Sequence, residues 1–433
     1  MDRLSDNHVD WYLRGGKRQL RVLLSAYACE PDKGSEPGIG WQWALNLAAA
    51  GHAVHAITRA NNRDAIERAL AQQPVPGLQF SYYDLPRWAR WWKRGGRGVH
   101  LYYLLWQWGA YRLARKLCRA HRFDVAHHIT FGVFRQPSFM AFLGVPFVFG
   151  PVGGGESAPP GLRRSFPWRG KLVDRLRDLA NAVVRFDPLM HAVYRRANVI
   201  LCKTRETLEA IPLRYRAKCR LQLELGTAGV PAAPTNRSGR ELRLLYAGRL
   251  VYLKGVHLAL PAFARLLQRH PRARFTIVGS GPEQARLHCL ANVLGIAHAI
   301  DWRSWLPQSE LMDLYAQHDV LLFPSLHDSS GNTVLEALAC GLPVVCLDLG
   351  GPRALVDDRC GIRVHADDER GAIEGLADAL LTLARQRKRR AQMATAARER
   401  TRVEFSWSRQ TERMSRIYLI ASTQPALVPE VAS

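Results

Sequence analysis

The stretch FPSLHDSSGNTVLEALACGLPVVCLDLGGP, residues 323–352, reads as a strand end, an acidic residue, a Ser/Gly/Asn loop, a helix and a second strand. Parallel neighbours need a crossover, usually a helix, so strand–helix–strand grammar predicts a parallel sheet. Asn332 reads as the N-cap, leaving the amides of Thr333, Val334 and Leu335 unpaired at the helix start. Such a terminus attracts phosphate. Asp328 precedes it in the loop with Ser330 and Gly331, and Glu336 falls in the first turn, so both carboxylates can face one side of a cleft.

Outward from this stretch the same grammar continues. LRLLYAG (242–248), RFTIVG (274–279), DVLLFP (319–324) and PVVCLD (343–348) are apolar runs separated by segments of helical length. In AGRLVYLKGVHLAL (247–260), Arg249 and Lys254 lie just beyond a strand end, and Gly255 precedes a helix. Two cations there can converge on an anion that the other helix start already favours. The pieces together describe a diphosphate site.

The first half repeats the pattern: RVLLSAY, AVHAIT, LQFSYY, FDVAHHI, PFVFG and NVILC are short apolar runs with helix-length spacers. A length of 433 residues predicts two or three domains. We expect an α/β protein of two doubly wound, Rossmann-like domains facing each other across a cleft, with ligands beyond the carboxyl ends of the strands. The stretch around 228–241, rich in Pro, Gly and small polar residues, reads as a linker. The expected layout is a polar tail at 1–19, a first domain at 20–230, a linker at 231–240 and a second domain at 241–405. A helix at 406–421 should pack back toward the first domain, followed by a tail at 422–433. In the first domain Gly38 and Gly40 would let backbone approach a substrate closely, although GIGWQW lacks the third glycine of a dinucleotide fingerprint. His127 and His128 end a strand and point to opposite faces, so at most one faces the cleft. Gly153, Gly154 and Glu156 form a candidate cleft loop.

These motifs resemble a known family. GRLVYLKG, VGSGPE (278–283) and FPSLHDSSGNTVLEALACGLPVV are similar to the donor-binding half of the retaining glycosyltransferases of family four, which have the GT-B fold. GSEPGIGW (34–41), FDVAHHITFGVFRQP (123–137) and GPVGGGES (150–157) extend the resemblance into the first half. It implies a nucleotide-sugar donor, a UDP- or GDP-sugar, bound by the second domain and a saccharide or lipid-linked acceptor bound by the first. Such enzymes require no metal and no resident cofactor, and family members with N-domains like this one often build exopolysaccharide or lipopolysaccharide. By resemblance Arg249 and Lys254 meet the donor diphosphate, Gly279, Ser280 and Gly281 form a turn near the nucleotide, and Glu336 accepts from the ribose hydroxyls. Ser330, Gly331, Asn332, Thr333, Val334 and Leu335 belong to the donor site, and a histidine near His127 or His128 contacts sugar or acceptor. The family has Glu, seven residues, then Glu; this chain has Asp328 in the first position, one methylene shorter.

The formal net charge of +24 implies an anionic partner. Residues 87–122 hold ten Lys and Arg and no Asp or Glu, together with Trp88, Trp91, Trp92, Trp106 and Trp108, a mixture suited to an anionic membrane surface. We therefore expect a peripheral protein at the cytoplasmic face of a membrane. Nucleic acid is the competing anion, but the chain carries no recognisable nucleic-acid motif. A sugar phosphorylase or epimerase on the same fold is the nearest enzymatic alternative. The eight dispersed cysteines form no Cys-x-x-Cys pair and read as reduced thiols.

Overall fold

The computed structural model describes residues 19–86, 88, 98–227, 229 and 241–423. The expected linker at 231–240 lies outside them. The central strands form where successive residues are apolar, as Val22–Leu24 within RVLLS and the whole of VVCL are, and such segments are satisfied only with both faces covered.

The first sheet contains β1 (Arg21–Ser25), β2 (Ala53–Arg59), β3 (Leu78–Tyr83), β4 (Val125–His128), β5 (Phe147–Val152), β6 (Val199–Cys202) and β7 (Cys219–Leu221), in the order β3-β2-β1-β4-β5-β6-β7. The second contains β8 (Arg243–Ala247), β9 (Arg274–Val278), β10 (Ile300–Arg303), β11 (Val320–Phe323), β12 (Val344–Leu347) and β13 (Gly361–Val364), in the order β10-β9-β8-β11-β12-β13. Every pairing is parallel, with Leu24 opposite His127 and Leu245 opposite Leu321. In each sheet the order reverses beside the first strand, between β1 and β4 and between β8 and β11. Loops leaving those four strands must therefore splay apart and open a crevice.

The last helix, Trp407–Thr423, belongs to the first domain's core rather than the second's. Trp407, Met414, Tyr418 and Ala421 pack with Trp43, Leu47 and Val148. The Trp407 ring meets Trp43 edge-on at 5.4 Å, and Trp43 Nε1 donates to the Glu224 carbonyl at 2.8 Å. Backbone bonds between Thr227 and both Phe405 and Trp407 fasten the chain where it returns. The two domains are thus joined at both ends of the second one, with their crevices turned toward each other.

Candidate functional site

The crevice is a cavity of about 370 Å³ between the domains. Ser35 and Glu36 open the helix after β1, Phe131, Gly132 and Val133 come from the loop after β4, His327, Ser329 and Ser330 from the loop after β11, and Asn332 opens the helix that follows it. Gly153, Gly154 and Glu156 enter from the loop after β5. The opposing loops nearly touch: a Cβ on Gly153 would stand 2.8 Å from the Ser329 Cβ. Glu156 is fully engaged, taking hydrogen bonds from the Gly154 amide at 2.8 Å and from the Thr204 and Thr207 hydroxyls at 2.8 and 2.9 Å. Its role here is to fix the glycine loop.

In the second domain Asp328 is the hub of the loop. Its Oδ1 accepts from the amides of Ser330 at 3.1 Å and Gly331 at 2.8 Å, a turn that the short Asp stem closes naturally. Its Oδ2 takes the Lys254 ammonium at 2.5 Å. Burial alone would raise the Asp328 carboxyl, but Lys254 and the two amides outweigh it and hold the group below its ordinary value. Gly331, in the left-handed region at φ 82°, caps the helix Asn332–Ala339. Asn332 is therefore not the cap expected from sequence but the first helical residue, because Asp328 has already turned the chain. The Leu335 amide is also not available, since it bonds to the Gly331 carbonyl at 3.0 Å. The amides of Asn332, Thr333 and Val334 remain ahead of the first intrahelical bond. Lys254 thus sits beside an anion-favouring helix start. Arg249 is exposed in the loop after β8, and its carbonyl accepts from the Tyr246 hydroxyl at 3.1 Å.

Glu336 lies one turn into the helix and takes hydrogen bonds from Gln308 Nε2 at 3.1 Å and the Tyr315 hydroxyl at 3.2 Å. Burial pushes its carboxyl up, against both donors. Gly279, Ser280 and Gly281 stitch the loop after β9 to the loop after β8. Leu250 donates to the Ser280 carbonyl at 2.9 Å, and a Cβ on Gly279 would collide with the Gly248 carbonyl at 1.9 Å. These glycines are required by chain lying on chain.

Two expectations are corrected. Gly38 and Gly40 lie within the helix Ser35–Ala49, and a Cβ on either would meet the chain's own Lys33 or Ala28 carbonyl at about 2 Å. Their close approach is to the loop after β1, not to a substrate. His127 and His128 both miss the cleft, at 0% and 2% exposure. His127 Nε2 lies 2.6 Å from the Gly150 carbonyl, which can only accept, so Nδ1 accepts from the Tyr418 hydroxyl at 2.6 Å. His128 lies 3.2 Å from both Tyr103 Oη and Gln107 Nε2. A strand in a parallel sheet covered on both faces has no solvent side to offer either ring.

Burial holds His127 down to about 4 and His128 down to about 3. The folded state then resists protons that the unfolded chain accepts below its ordinary value near 6.5. Stability should be intact above about pH 6.5 and fall as pH drops toward about 4, and each tenfold loss of proton affinity on folding is worth about 1.4 kcal/mol per ring. Urea denaturation at stepped pH checks this: the decline should flatten in His127→Gln, and an unchanged slope in that variant would remove His127 from the explanation.

Sequence reading missed the densest charge cluster in the cavity. Lys203 pairs with Glu224 at 2.5 Å, and Ser330 of the other domain donates to the same carboxylate at 2.5 Å. Burial alone would lower the Lys203 ammonium, but Glu224, Glu36 and Glu156 outweigh it and hold it above its ordinary value. Burial raises Glu36, which accepts from the Phe131 amide. Glu224 Oε2 and His327 Nδ1 are buried with no hydrogen-bond partner among the described residues, so each can receive a group from a ligand. Arg135 and Arg177 complete the wall. One signal was legible: Lys203 follows directly on the apolar run NVILC, at a strand's carboxyl end.

Residues 232–400 match the family described as glycosyl transferases group 1. The chain is 33% identical over 191 residues to the glycogen synthase of Mycobacterium tuberculosis, covering 44% of this chain and 45% of that protein. It is 34% identical over 199 residues to the D-inositol 3-phosphate glycosyltransferase of Corynebacterium jeikeium, covering 42% and 46%. The chain therefore matches about half the length of these curated relatives. Among solved structures, sucrose-phosphate synthase from Thermosynechococcus elongatus superposes with a TM-score of 0.66 at 19% identity, over 93% of this chain and 98% of that one. HepE from Anabaena, solved with UDP, gives 0.60 at 16% identity over 92% and 99%. WaaG, a glycosyltransferase involved in lipopolysaccharide biosynthesis, gives 0.56 at 17% identity over 92% and 99%. The two facing parallel-sheet domains match those of these solved structures in fold.

Proposed function

We propose that this chain, whose second domain is of the glycosyl transferases group 1 family on a GT-B fold, moves a sugar from a UDP- or GDP-sugar to a saccharide acceptor with retention of configuration. The observation that carries the reading is Lys254 held by Asp328 beside the open start of the helix Asn332–Ala339, at the reversal of strand order. A departing nucleoside diphosphate develops charge on its β-phosphate. In this reading Lys254, Arg249 and the helix amides receive that charge without a metal, and donors fixed in advance need no reorganisation as it forms. Glu336, with one oxygen toward Gln308 and the other toward Tyr315, suits ribose hydroxyls. Glu224 Oε2 and His327 Nδ1 suit sugar hydroxyls in the cavity. The retaining course has the leaving phosphate accept the acceptor's proton on the face it vacates, so no side-chain base is required.

The acceptor is proposed to be lipid-linked, in the synthesis of cell-surface polysaccharide, with the enzyme at the inner face of the membrane. Supporting this, the helix Val99–Ala120 buries Tyr102, Tyr103 and Trp106 but exposes Leu101, Leu105 and Trp108 alongside Arg112, Arg115 and Lys116. Arg87, Arg90, Lys93, Arg94, Arg97, Trp91 and Trp92 lie outside the described residues. No described helix is long and apolar enough to cross a membrane.

Thermal unfolding in the presence of UDP, GDP and ADP tests the nucleotide. A ligand at 100 times its dissociation constant adds about 2.7 kcal/mol. UDP or GDP should raise the midpoint and ADP should not; no shift with either would remove the donor reading. Release of nucleoside diphosphate on acceptor addition separates transfer from phosphorolysis.

A further inference from the structure

The helix Trp168–Val183, WRGKLVDRLRDLANAV, is built inside out. Its buried residues are Gly170 and Asp174, neither of them apolar in side chain. At about 100° per residue, Trp168, Leu172, Leu176, Leu179 and Val183 fall within an arc of about 80°. All of them face solvent, at 70%, 51%, 56%, 61% and 52% exposure, and Phe186 continues the stripe at 82%. An amphipathic helix normally spends such a stripe on its own core, so a stripe left outside marks a surface that meets something else.

The charges beside the stripe say what it meets. Arg169, Lys171, Arg175 and Arg185 are exposed along its flanks, and Arg169 stacks on the Trp168 ring at 5.1 Å. The helix's two acids are neutralised: Asp174 by Arg177 at 2.8 Å and Asp178 by Arg163 at 2.5 Å. An apolar stripe with aromatic ends and cationic margins fits the boundary between acyl chains and anionic headgroups. A second copy of this chain, itself +24, would set the same cations against each other.

The opposite face of the same helix belongs to the cleft. Arg177 lines the cavity, and Asn181 joins Arg135 at 2.8 Å and the Gly154 carbonyl at 3.1 Å. We propose that the stripe Trp168–Phe186 docks on an anionic lipid surface, setting the acceptor side of the cleft about one helix diameter, roughly 10–12 Å, from the headgroups. This rests on the reading of a lipid-linked acceptor and names the surface that would present it. A head group still attached to its lipid then reaches Arg135 and Arg177 without leaving the bilayer.

Sedimentation of the full chain with vesicles tests the proposal. The protein should sediment with vesicles of mixed phosphatidylcholine and phosphatidylglycerol at low salt, and far less with phosphatidylcholine alone. In the triple variant Leu172→Ser, Leu176→Ser, Leu179→Ser the bound fraction should fall about tenfold or more. None of these residues touches the cleft, so the variant's shift with the active nucleotide should match wild type, which also certifies its fold. Wild-type protein that stays in the supernatant, or a folded triple variant that sediments like wild type, overturns the docking surface. So does loss of binding confined to Arg90→Gln, Lys93→Gln, Arg94→Gln, Arg97→Gln, or a wild-type dimer that the triple variant dissociates. Vesicle binding without any nucleotide shift would sink the donor reading and leave the surface standing.

Discussion

Lys254→Ala is expected to lower kcat by about a hundredfold or more while leaving the fold intact. The ammonium stands 2.5 Å from Asp328 Oδ2, beside the helix start whose first amides precede the intrahelical ladder. Charge met mainly in the transition state should cost turnover rather than ground-state binding, so KM for the donor should move much less than kcat. Arg249→Ala, removing the exposed cation of the same loop, should act in the same direction. Asp328→Asn keeps an oxygen for the Ser330 and Gly331 amides but loses the partner of Lys254, so it should lose activity while the loop holds. Steady-state kinetics with folding checked by circular dichroism decides the matter. Near-normal kcat in folded Lys254→Ala and Arg249→Ala would end the diphosphate assignment.

Lys203→Met is expected to destabilise the protein by about 3 kcal/mol or more. The pair Lys203–Glu224 is buried, at 12% and 4% side-chain exposure, and deleting one member strands the other's charge away from water. Ser330 of the second domain hangs on the same carboxylate, so the loss should loosen the contact between domains as well. Adding Glu224→Leu to Lys203→Met removes the stranded charge and should recover much of the loss. Denaturant unfolding of both single variants and the double gives the coupling. Additive losses would show that the two side chains act separately and that the bridge contributes nothing of its own.

The fold was legible because parallel strands covered on both faces need consecutive apolar residues, and runs such as Val22–Leu24 and Val344–Leu347 announce themselves without any partner being known. The loop at 323–352 was legible for a related reason. Asp328, its two amides and the helix they start are local in sequence, so their geometry follows from the residues themselves, even though the cap proved to be Gly331 rather than Asn332. What only the tertiary structure decided is which groups face the cleft. His127 and His128 read alike as strand-end candidates, and packing against Tyr418 of the last helix and Tyr103 of the helix preceding the strand buried both. Gly38 and Gly40 read as room for a substrate, and the chain's own loop filled that room. Glu224 reaches Ser330 across 106 positions of sequence, and no periodicity carries such a pairing. The sequence by itself determined two doubly wound sheets and the open helix start after Asp328, because those depend on local pattern. The assignment of side chains to core or crevice waited on the docking of one domain against the other, since burial is a property of the neighbours a residue acquires.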